Sequence, residues 1–289
     1  MIREKLRGTG VALVTPFAAD LSIDYPAFAK LLDFVLDGGV NYVVINGTTA
    51  ESATTTTAEK AEILKFVKNH VNGRVPLVYG LGGNSTQHVL DTFAEVNFEG
   101  VDAILSVSPY YNKPSQQGIY QHYMQIADIS PVPVILYNVP GRTGSNVTAE
   151  TTLKLALHDN IIGIKEASGN LEQCMQIAKH KPQEFMLISG DDLLTVPMTA
   201  FGAEGVISVL ANAFPEKFSK MIQLSLDYKF KEATELLNGF VDINPLMYEE
   251  GNPVGVKAVL ERFGVCSTFV RLPLIEASAG LRDRLYKLL

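Results

Sequence analysis

Eight short runs of apolar and β-branched residues recur up to residue 212, and segments with the spacing of amphipathic helices separate them. The runs are 10–16, 42–49, 76–82, 103–111, 133–140, 161–168, 185–192 and 205–212. Strands that alternate strictly with helices indicate a parallel sheet. Eight such units in roughly 215 residues predict an α/β fold of the (β/α)8 TIM barrel type. A doubly wound open sheet is the alternative, and the lack of a GxGxxG motif after the first run disfavours it.

Signals for the starts and ends of helices support the alternation of strands and helices. Thr56 and Glu59 form the pattern of a capping box, and Gly38 follows another helical segment as a stop signal. After residue 224 the strand signals end, and 228–247, 253–264 and 276–289 have helical patterns. The sequence therefore predicts a catalytic barrel over residues 1–224 and a C-terminal helical region over residues 225–289.

Composition excludes several kinds of partner. The 289 residues include 24 lysines and arginines against 31 aspartates and glutamates, with no basic block, so we expect no nucleic-acid partner. No apolar stretch reaches the ~20 residues of a membrane span, and the first residues lack the core of a signal peptide. Cys174 and Cys266 form no CxxC motif and are interpreted as reduced core residues, with a disulfide as the less favoured alternative. We therefore expect a soluble cytoplasmic protein without a membrane partner.

A lysine ends the apolar sixth run, "IIGIKEAS". Because side chains alternate along a strand, Lys165 should share a face with Gly163 and Ile161, while Glu166 points to the other side. Tyr137 occupies a similar place at the end of the preceding run. If both faces point inward, Lys165 and Tyr137 are neighbours at the carboxyl ends of the strands, where barrel active sites lie.

Two interpretations of this lysine stay open from the residues alone. In a low-dielectric site the pKa of a lysine amine falls from about 10.4, so that some free amine exists at neutral pH. A free amine beside a phenol suits Schiff-base chemistry on a keto acid. The alternative is a structural lysine that reaches solvent or pairs with a carboxylate.

Two further loops follow predicted strand ends. In "NGTTAES", Gly47 permits a tight turn, and the backbone N–H groups and hydroxyls of Thr48 and Thr49 could bind a carboxylate. Plain turn chemistry is the alternative. In "VPGRTG", Arg142 could bind a carboxylate through both of its terminal nitrogens, or it could be a solvated loop residue.

The acidic pair in "SGDD" is better explained by helix capping through Asp191 or Asp192 than by a metal site, because no histidine or third carboxylate accompanies it. The five histidines fall within or at the ends of predicted helices and are interpreted as surface or structural residues. They are His70, His88, His122, His158 and His180.

Seven motifs, in order, resemble the dihydrodipicolinate synthase family from about residue 8 to residue 275: "GTTAES", "SPYYNKPSQQG", "YNVPGRTG", "GIKEASGN", "SGDD", "GVISVLAN" and "VKAVLERFG" followed by "VRLPL". The resemblance implies a barrel with C-terminal helices and class I aldolase chemistry without a metal or other cofactor. The implied reaction condenses pyruvate with L-aspartate 4-semialdehyde to 4-hydroxy-tetrahydrodipicolinate, the first committed step of diaminopimelate and lysine biosynthesis. It also implies a homodimer as the minimal active unit and a homotetramer as the usual assembly.

The resemblance also implies roles for four catalytic residues. Lys165 would form the imine with pyruvate. A proton relay would consist of Tyr137, Thr48 and Tyr111, the last of which would enter the neighbouring subunit's site.

Four further positions would bind substrate. Thr49 would bind the pyruvate carboxylate, and Arg142 would bind the carboxylate of the semialdehyde. Gly190 and Ile207 would line the site through their backbone carbonyls.

At three positions the chain departs from family members that L-lysine inhibits. Those members typically carry histidines where this chain has Thr57 and Lys60, and an acidic residue where it has His88. A cation at Lys60 would repel the ammonium group of the inhibitor. We therefore predict weak or absent inhibition by L-lysine.

Two other functions remain as alternatives. N-acetylneuraminate lyases and 2-keto-3-deoxy sugar acid aldolases use the same kind of barrel and the same lysine and tyrosine pair. Arg142 and Thr48 favour the synthase, because sugar-acid lyases generally lack that arginine. A non-catalytic barrel would not need the full set of Lys165, Tyr137, Thr48, Tyr111 and Arg142.

Overall fold

The computed structural model describes residues 2–289, and at its centre eight parallel strands close into a barrel. The strands are β1 (Gly8–Ala12), β2 (Tyr42–Ile45), β3 (Leu77–Gly80), β4 (Ala103–Val107), β5 (Val134–Asn138), β6 (Ile161–Glu166), β7 (Met186–Ser189) and β8 (Gly205–Ser208). Each strand pairs with the next one in sequence, and β8 pairs with β1. The predicted TIM barrel is confirmed, and the open-sheet alternative is wrong.

Helices occupy the connections and the C-terminal part of the chain. They are α1 (Ile2–Lys5), α2 (Tyr25–Asp37), α3 (Thr57–Val71), α4 (Thr86–Thr92), α5 (Gln116–Ile129), α6 (Pro140–Thr143), α7 (Ala149–Leu155), α8 (Leu171–His180), α9 (Thr195–Ala200), α10 (Pro215–Leu226), α11 (Phe230–Asn238), α12 (Ile243–Tyr248), α13 (Val254–Arg262) and α14 (Ala279–Tyr286). A 3₁₀ turn spans Leu210–Asn212. The C-terminal helical region is therefore present. The predicted division after residue 224 falls within α10 and stays a prediction.

The helix-capping signals of the sequence act as expected. The Thr56 hydroxyl accepts a hydrogen bond from the Glu59 N–H at 3.2 Å, and the Glu59 carboxylate accepts one from the Thr56 N–H at 2.8 Å. The capping box at the start of α3 is thus confirmed. Gly38 ends α2 as predicted.

The predicted strands are too long at their carboxyl ends. Each apolar run continues two to four residues past the last residue of its strand, as 42–49 does against Tyr42–Ile45. The residues that follow the strands are often β-branched or apolar as well, so composition alone does not mark where the ladder ends. Those extra residues belong to the loops at the carboxyl edge of the barrel, where the candidate site lies.

Alternation along the strands produces two apolar layers. Tyr42 and Val44 belong to a cluster inside the barrel, whereas Val43 and Ile45 pack in the layer between the strands and the surrounding helices. The side chains of both layers are almost fully buried. The interior of the barrel is therefore a filled core, and active sites in barrels of this type lie at the carboxyl edge.

One expected face assignment is wrong. Ile161 packs in the outer layer, whereas Ile162 packs against the interior cluster. The register between β5 and β6 shifts at Val134, which pairs with Ile161, while the next residue pairs with Gly163. This bulge inserts one residue and reverses the alternation before Gly163, so that Lys165 still faces inward.

Cys174 and Cys266 are both buried, which confirms their interpretation as core residues, and they form no disulfide with each other. Burial raises the pKa of each thiol to about 12. No helix formed by residues 2–289 combines the length and the apolar composition that crossing a membrane requires.

Candidate active site

Lys165 and Tyr137 pair across β6 and β5 near the carboxyl ends of these strands. The Lys165 amine lies 4.4 Å from the centroid of the Tyr137 ring. The two residues are only 5% and 8% exposed, respectively. This confirms that they are neighbours inside the barrel mouth, as side-chain alternation predicted. An amine and a phenol are thus held together in a site with little water.

Gly190 leaves the space that the lysine side chain occupies. A Cβ atom at this position would lie 3.0 Å from Cε of Lys165 and 2.6 Å from Cβ of Ala167. A larger residue would therefore displace the amine. Ile207, the other residue expected to contribute a carbonyl, is buried on β8 in the interior cluster.

Glu166 points away from Lys165, as predicted. Its carboxylate is buried, and it accepts hydrogen bonds from the Asn138 side chain at 3.0 Å and the Gln173 side chain at 2.8 Å. It also accepts one from the Ser168 N–H at 2.8 Å. Neutral donors thus satisfy this carboxylate on the outer side of the strand.

Thr48 and Thr49 lie in the loop after β2 and line a cavity of about 280 Å³ together with Lys165, Tyr137 and Arg142. Within residues 2–289, the backbone N–H groups of Thr48 and Thr49 donate to no acceptor. Unused N–H groups next to hydroxyls form a concave donor surface that suits a carboxylate. The loop thus makes turn hydrogen bonds, such as that from the Ala50 N–H to the Gly47 carbonyl, and also leaves two N–H donors available to an anion. Carboxylate binding by Thr49 stays a prediction.

Arg142 reaches the same cavity from α6, which directly follows β5. Its backbone N–H donates to the Val139 carbonyl at 2.9 Å, which fixes the turn. Its guanidinium forms no ion pair with another residue of the described chain. A guanidinium without an internal carboxylate, at the edge of a cavity, can bind the carboxylate of a ligand.

Tyr111 is not among the side chains that line the Lys165 cavity of its own chain. It is 86% exposed, and its backbone has a φ of 73°. Its N–H donates to the Thr143 carbonyl at 3.4 Å. The fold of a single chain therefore presents the Tyr111 side chain to the outside.

Asp191 and Asp192 both accept hydrogen bonds from backbone N–H groups at turns. Asp191 accepts one from Leu193 at 3.1 Å, shortly before α9. Asp192 accepts hydrogen bonds from Val209 at 3.1 Å and Leu210 at 2.8 Å, at the start of the 3₁₀ turn. Burial raises the pKa of Asp192 to about 6. The two carboxylates cap turns rather than the first turn of an α-helix, which refines the capping interpretation.

Sequence reasoning missed three polar side chains that reach the cavity from the C-terminal helical region: Asn244, Tyr248 and Asn252. The side-chain amide of Asn252 donates to the Thr49 hydroxyl at 3.0 Å. Burial, reinforced by nearby carboxylates, raises the pKa of Tyr248 well above its usual value, so its phenol stays protonated. Asn244 and Tyr248 are polar residues of the short helix α12, and Asn252 lies in the turn before α13, so no sequence pattern marked the three as site residues.

A larger cavity of about 930 Å³ adjoins the first, and Tyr137 and Arg142 line both. Its lining includes Thr57, Lys60 and His88, the positions at which the chain departs from inhibited family members. Burial lowers the pKa of the Lys60 amine. Weak inhibition by L-lysine stays a prediction.

The histidines have the structural or surface roles that were expected where their contacts are defined. His122 is buried, and its Nδ1 lies 2.9 Å from the Thr86 hydroxyl. Burial lowers the pKa of His122 to about 4, so the ring is neutral at ordinary pH. His70 contacts Asp33 at 2.8 Å near the surface.

Comparison with known proteins adds to this geometry. Residues 5–289 match the model of the Dihydrodipicolinate synthetase family. The 4-hydroxy-tetrahydrodipicolinate synthase of Cytophaga hutchinsonii is 57% identical over 274 residues, which cover 95% of this chain and 92% of that protein.

Two solved structures have the same fold over nearly the whole chain. A monomeric dihydrodipicolinate synthase variant has a TM-score of 0.95 at 33% identity, covering 99% of this chain and 96% of its own. The chloride-inhibited dihydrodipicolinate synthase of Acinetobacter baumannii, solved in complex with pyruvate, has a TM-score of 0.95 at 35% identity. That match covers 98% of this chain and 97% of the Acinetobacter chain.

Proposed function

The chain belongs to the dihydrodipicolinate synthetase family, and we propose that it condenses pyruvate with L-aspartate 4-semialdehyde to 4-hydroxy-tetrahydrodipicolinate. It is a lyase of the class I aldolase type, and the reaction is the first committed step of diaminopimelate and lysine biosynthesis. The observation that carries the proposal is the nearly buried Lys165 amine, held 4.4 Å from the Tyr137 ring at the carboxyl edge of the barrel.

Lys165 acts as the nucleophile. Its uncharged amine attacks the ketone carbon of pyruvate, and loss of water from the adduct leaves an imine. Loss of a proton from the methyl group gives an enamine, whose carbon attacks the aldehyde of the second substrate. The amino group of that substrate then attacks the imine carbon, closes the ring and releases the lysine amine.

Each of these steps moves a proton, and Tyr137, whose ring lies beside the amine, donates and accepts it. Thr48 passes protons between Tyr137 and Tyr111. Because Tyr111 is 86% exposed and does not line the cavity of its own chain, we propose that it completes the site of a second copy. A homodimer is then the minimal active unit, and a homotetramer would be a dimer of such dimers.

Two carboxylate contacts hold the substrates in the reactive arrangement. Thr49 binds the pyruvate carboxylate through its hydroxyl and its free backbone N–H, and Arg142 binds the carboxylate of the semialdehyde. The carbonyls of Gly190 and Ile207 complete the wall beside the imine.

The reaction needs no metal or other cofactor, because the imine itself withdraws electrons from the carbon that loses its proton. We place the protein in the cytoplasm, where its two unpaired cysteines stay reduced. We also propose the division into a barrel of residues 1–224 and a helical region of residues 225–289, with side chains of the second part reaching the site of the first.

A steady-state assay tests the proposal against the related lyases. The protein is given pyruvate with aspartate semialdehyde, and in parallel N-acetylneuraminate or a 2-keto-3-deoxy sugar acid. We expect turnover of the first pair at a rate far above any cleavage of the sugar acids. Faster cleavage of a sugar acid would overturn the assignment.

A further inference from the structure

We propose that Asn252 is a positioning residue that directs the hydroxyl proton of Thr49 toward the pyruvate carboxylate. The inference rests on the proposed function, because it assigns a partner to the side chain that binds pyruvate. Asn252 lies outside the barrel, immediately before Pro253 and α13. The C-terminal helical region would thus set the geometry of the first substrate.

The contact between the two side chains is short and screened from water. Nδ2 of Asn252 lies 3.0 Å from Oγ1 of Thr49. Thr49 is 3% exposed and Asn252 is 8% exposed. Buried hydrogen bonds with little competition from water hold a defined direction.

The direction of this hydrogen bond decides what the hydroxyl can do next. A threonine hydroxyl has one proton to donate and two lone pairs that accept. The Asn252 amide occupies a lone pair, so the hydroxyl proton remains free for another acceptor. The unused backbone N–H of Thr49 is a second donor on the same residue. Two donors of one residue can then converge on one carboxylate.

The opposite amide orientation would give a different site. With Oδ1 toward Thr49, the asparagine would accept the hydroxyl proton and leave none for pyruvate. Oδ1 now sits in a buried place without a hydrogen-bond partner in the described chain. An amide N–H buried there without an acceptor would cost more free energy than a carbonyl oxygen without a donor, which favours the orientation with Nδ2 toward Thr49.

Other contacts keep Asn252 and Thr49 at this distance. Glu51, two residues after Thr49, forms a buried ion pair of 2.7 Å with Lys257 on α13. The Thr15 hydroxyl donates to the Ala50 carbonyl at 2.8 Å. The first contact joins the loop to α13, and the second joins the loop to the segment after β1. Together they limit the movement of the Thr49 hydroxyl before pyruvate arrives.

The test measures kcat and separate KM values for pyruvate and the semialdehyde. Asn252→Ala should raise the pyruvate KM about tenfold, the effect of one lost hydrogen bond to a charged group, and change the semialdehyde KM less than about twofold. Asn252→Asp has nearly the same volume, but its carboxylate accepts the Thr49 proton and repels pyruvate. Its pyruvate KM should therefore rise at least as much as that of Asn252→Ala.

A double-mutant cycle with Thr49→Val distinguishes orientation of the Thr49 hydroxyl by Asn252 from a nonspecific disturbance of the site. Because valine has no hydroxyl, Asn252→Ala should raise the pyruvate KM no further in that background. The same increase in both backgrounds, or equal increases of both KM values, would overturn the inference. If Asn252→Ala does not fold, Asn252→Leu, which has a similar volume and neither a charge nor a hydrogen-bonding group, supplies the same cycle. Wild-type protein that makes no product would refute the proposed function, whereas a normal pyruvate KM in Asn252→Ala would refute only the inference.

Discussion

The buried ion pair between Lys257 and Glu51 allows a quantitative test of how the C-terminal helices are attached to the barrel. The Nζ and Oε1 atoms lie 2.7 Å apart, and the two side chains are 0% and 1% exposed. Nζ also donates to the Phe269 carbonyl at 2.7 Å, and the second Glu51 oxygen accepts from the Arg271 N–H at 2.9 Å. Burial lowers the pKa of the Lys257 amine, and the neighbouring Glu51 carboxylate opposes this shift.

Lys257→Met removes the amine and keeps most of the side-chain volume. The Glu51 carboxylate then stays buried with a single backbone donor, and an uncompensated buried charge of this kind destabilises a protein by about 3–5 kcal/mol. The additional change Glu51→Gln removes that charge and should restore more than half of the loss. The free energy of unfolding is measured by urea titration at one fixed protein concentration, because any association of subunits would also contribute to it.

Lys154→Met is the matched control. Lys154 pairs with Glu150 at 2.8 Å on the surface of α7, where the side chains are 62% and 78% exposed. An exposed pair of this kind contributes little to stability, because water and salt screen the two charges. If Lys257→Met lowers the free energy of unfolding no more than Lys154→Met does, the reasoning about the buried pair is refuted.

Three further outcomes follow from the structure. Because the pKa of His122 is lowered to about 4, the unfolded chain binds a proton near pH 5 that the folded chain does not, and stability should fall by about 2 kcal/mol between pH 7 and pH 5. Urea unfolding at both pH values should show a smaller fall in His122→Gln, and an unchanged fall would contradict this. Native Cys174 and Cys266 should resist iodoacetamide at neutral pH and react after unfolding, since their pKa is about 12; rapid labelling of the native protein would disprove it. L-Lysine should inhibit weakly or not at all, because the Lys60 cation would repel the ammonium group of the inhibitor. Strong inhibition at submillimolar lysine in a steady-state assay would contradict this.

The sequence predicted those parts of the fold and the site that local patterns specify. Alternation of apolar residues along two consecutive strands was enough to place Lys165 beside Tyr137, because neighbouring parallel strands end at the same edge of the barrel. The capping box at Thr56 and Glu59 is equally local. The bulge beside Val134 has no such signal, and it reversed the face assigned to one isoleucine.

Contacts between distant segments could not be predicted in the same way. The bond from Asn252 to Thr49 joins residues 203 positions apart, and the pair of Lys257 with Glu51 joins residues 206 positions apart. A buried polar residue requires a partner, but nothing in the surrounding sequence specifies which one. Thr49, Glu51 and Lys257 belong to the quoted motifs, whereas Asn252 does not. Only the closed barrel with its docked helices brings these residues together.

Borohydride reduction in the presence of pyruvate tests the central proposal most directly. An imine between pyruvate and Lys165 is reduced to a stable secondary amine, and peptide mass spectrometry identifies the modified residue. We expect one pyruvate-derived adduct, located on Lys165 and absent from Lys165→Arg, together with loss of turnover in that variant. An adduct on another lysine, no adduct at all, or an active Lys165→Arg protein would contradict the account.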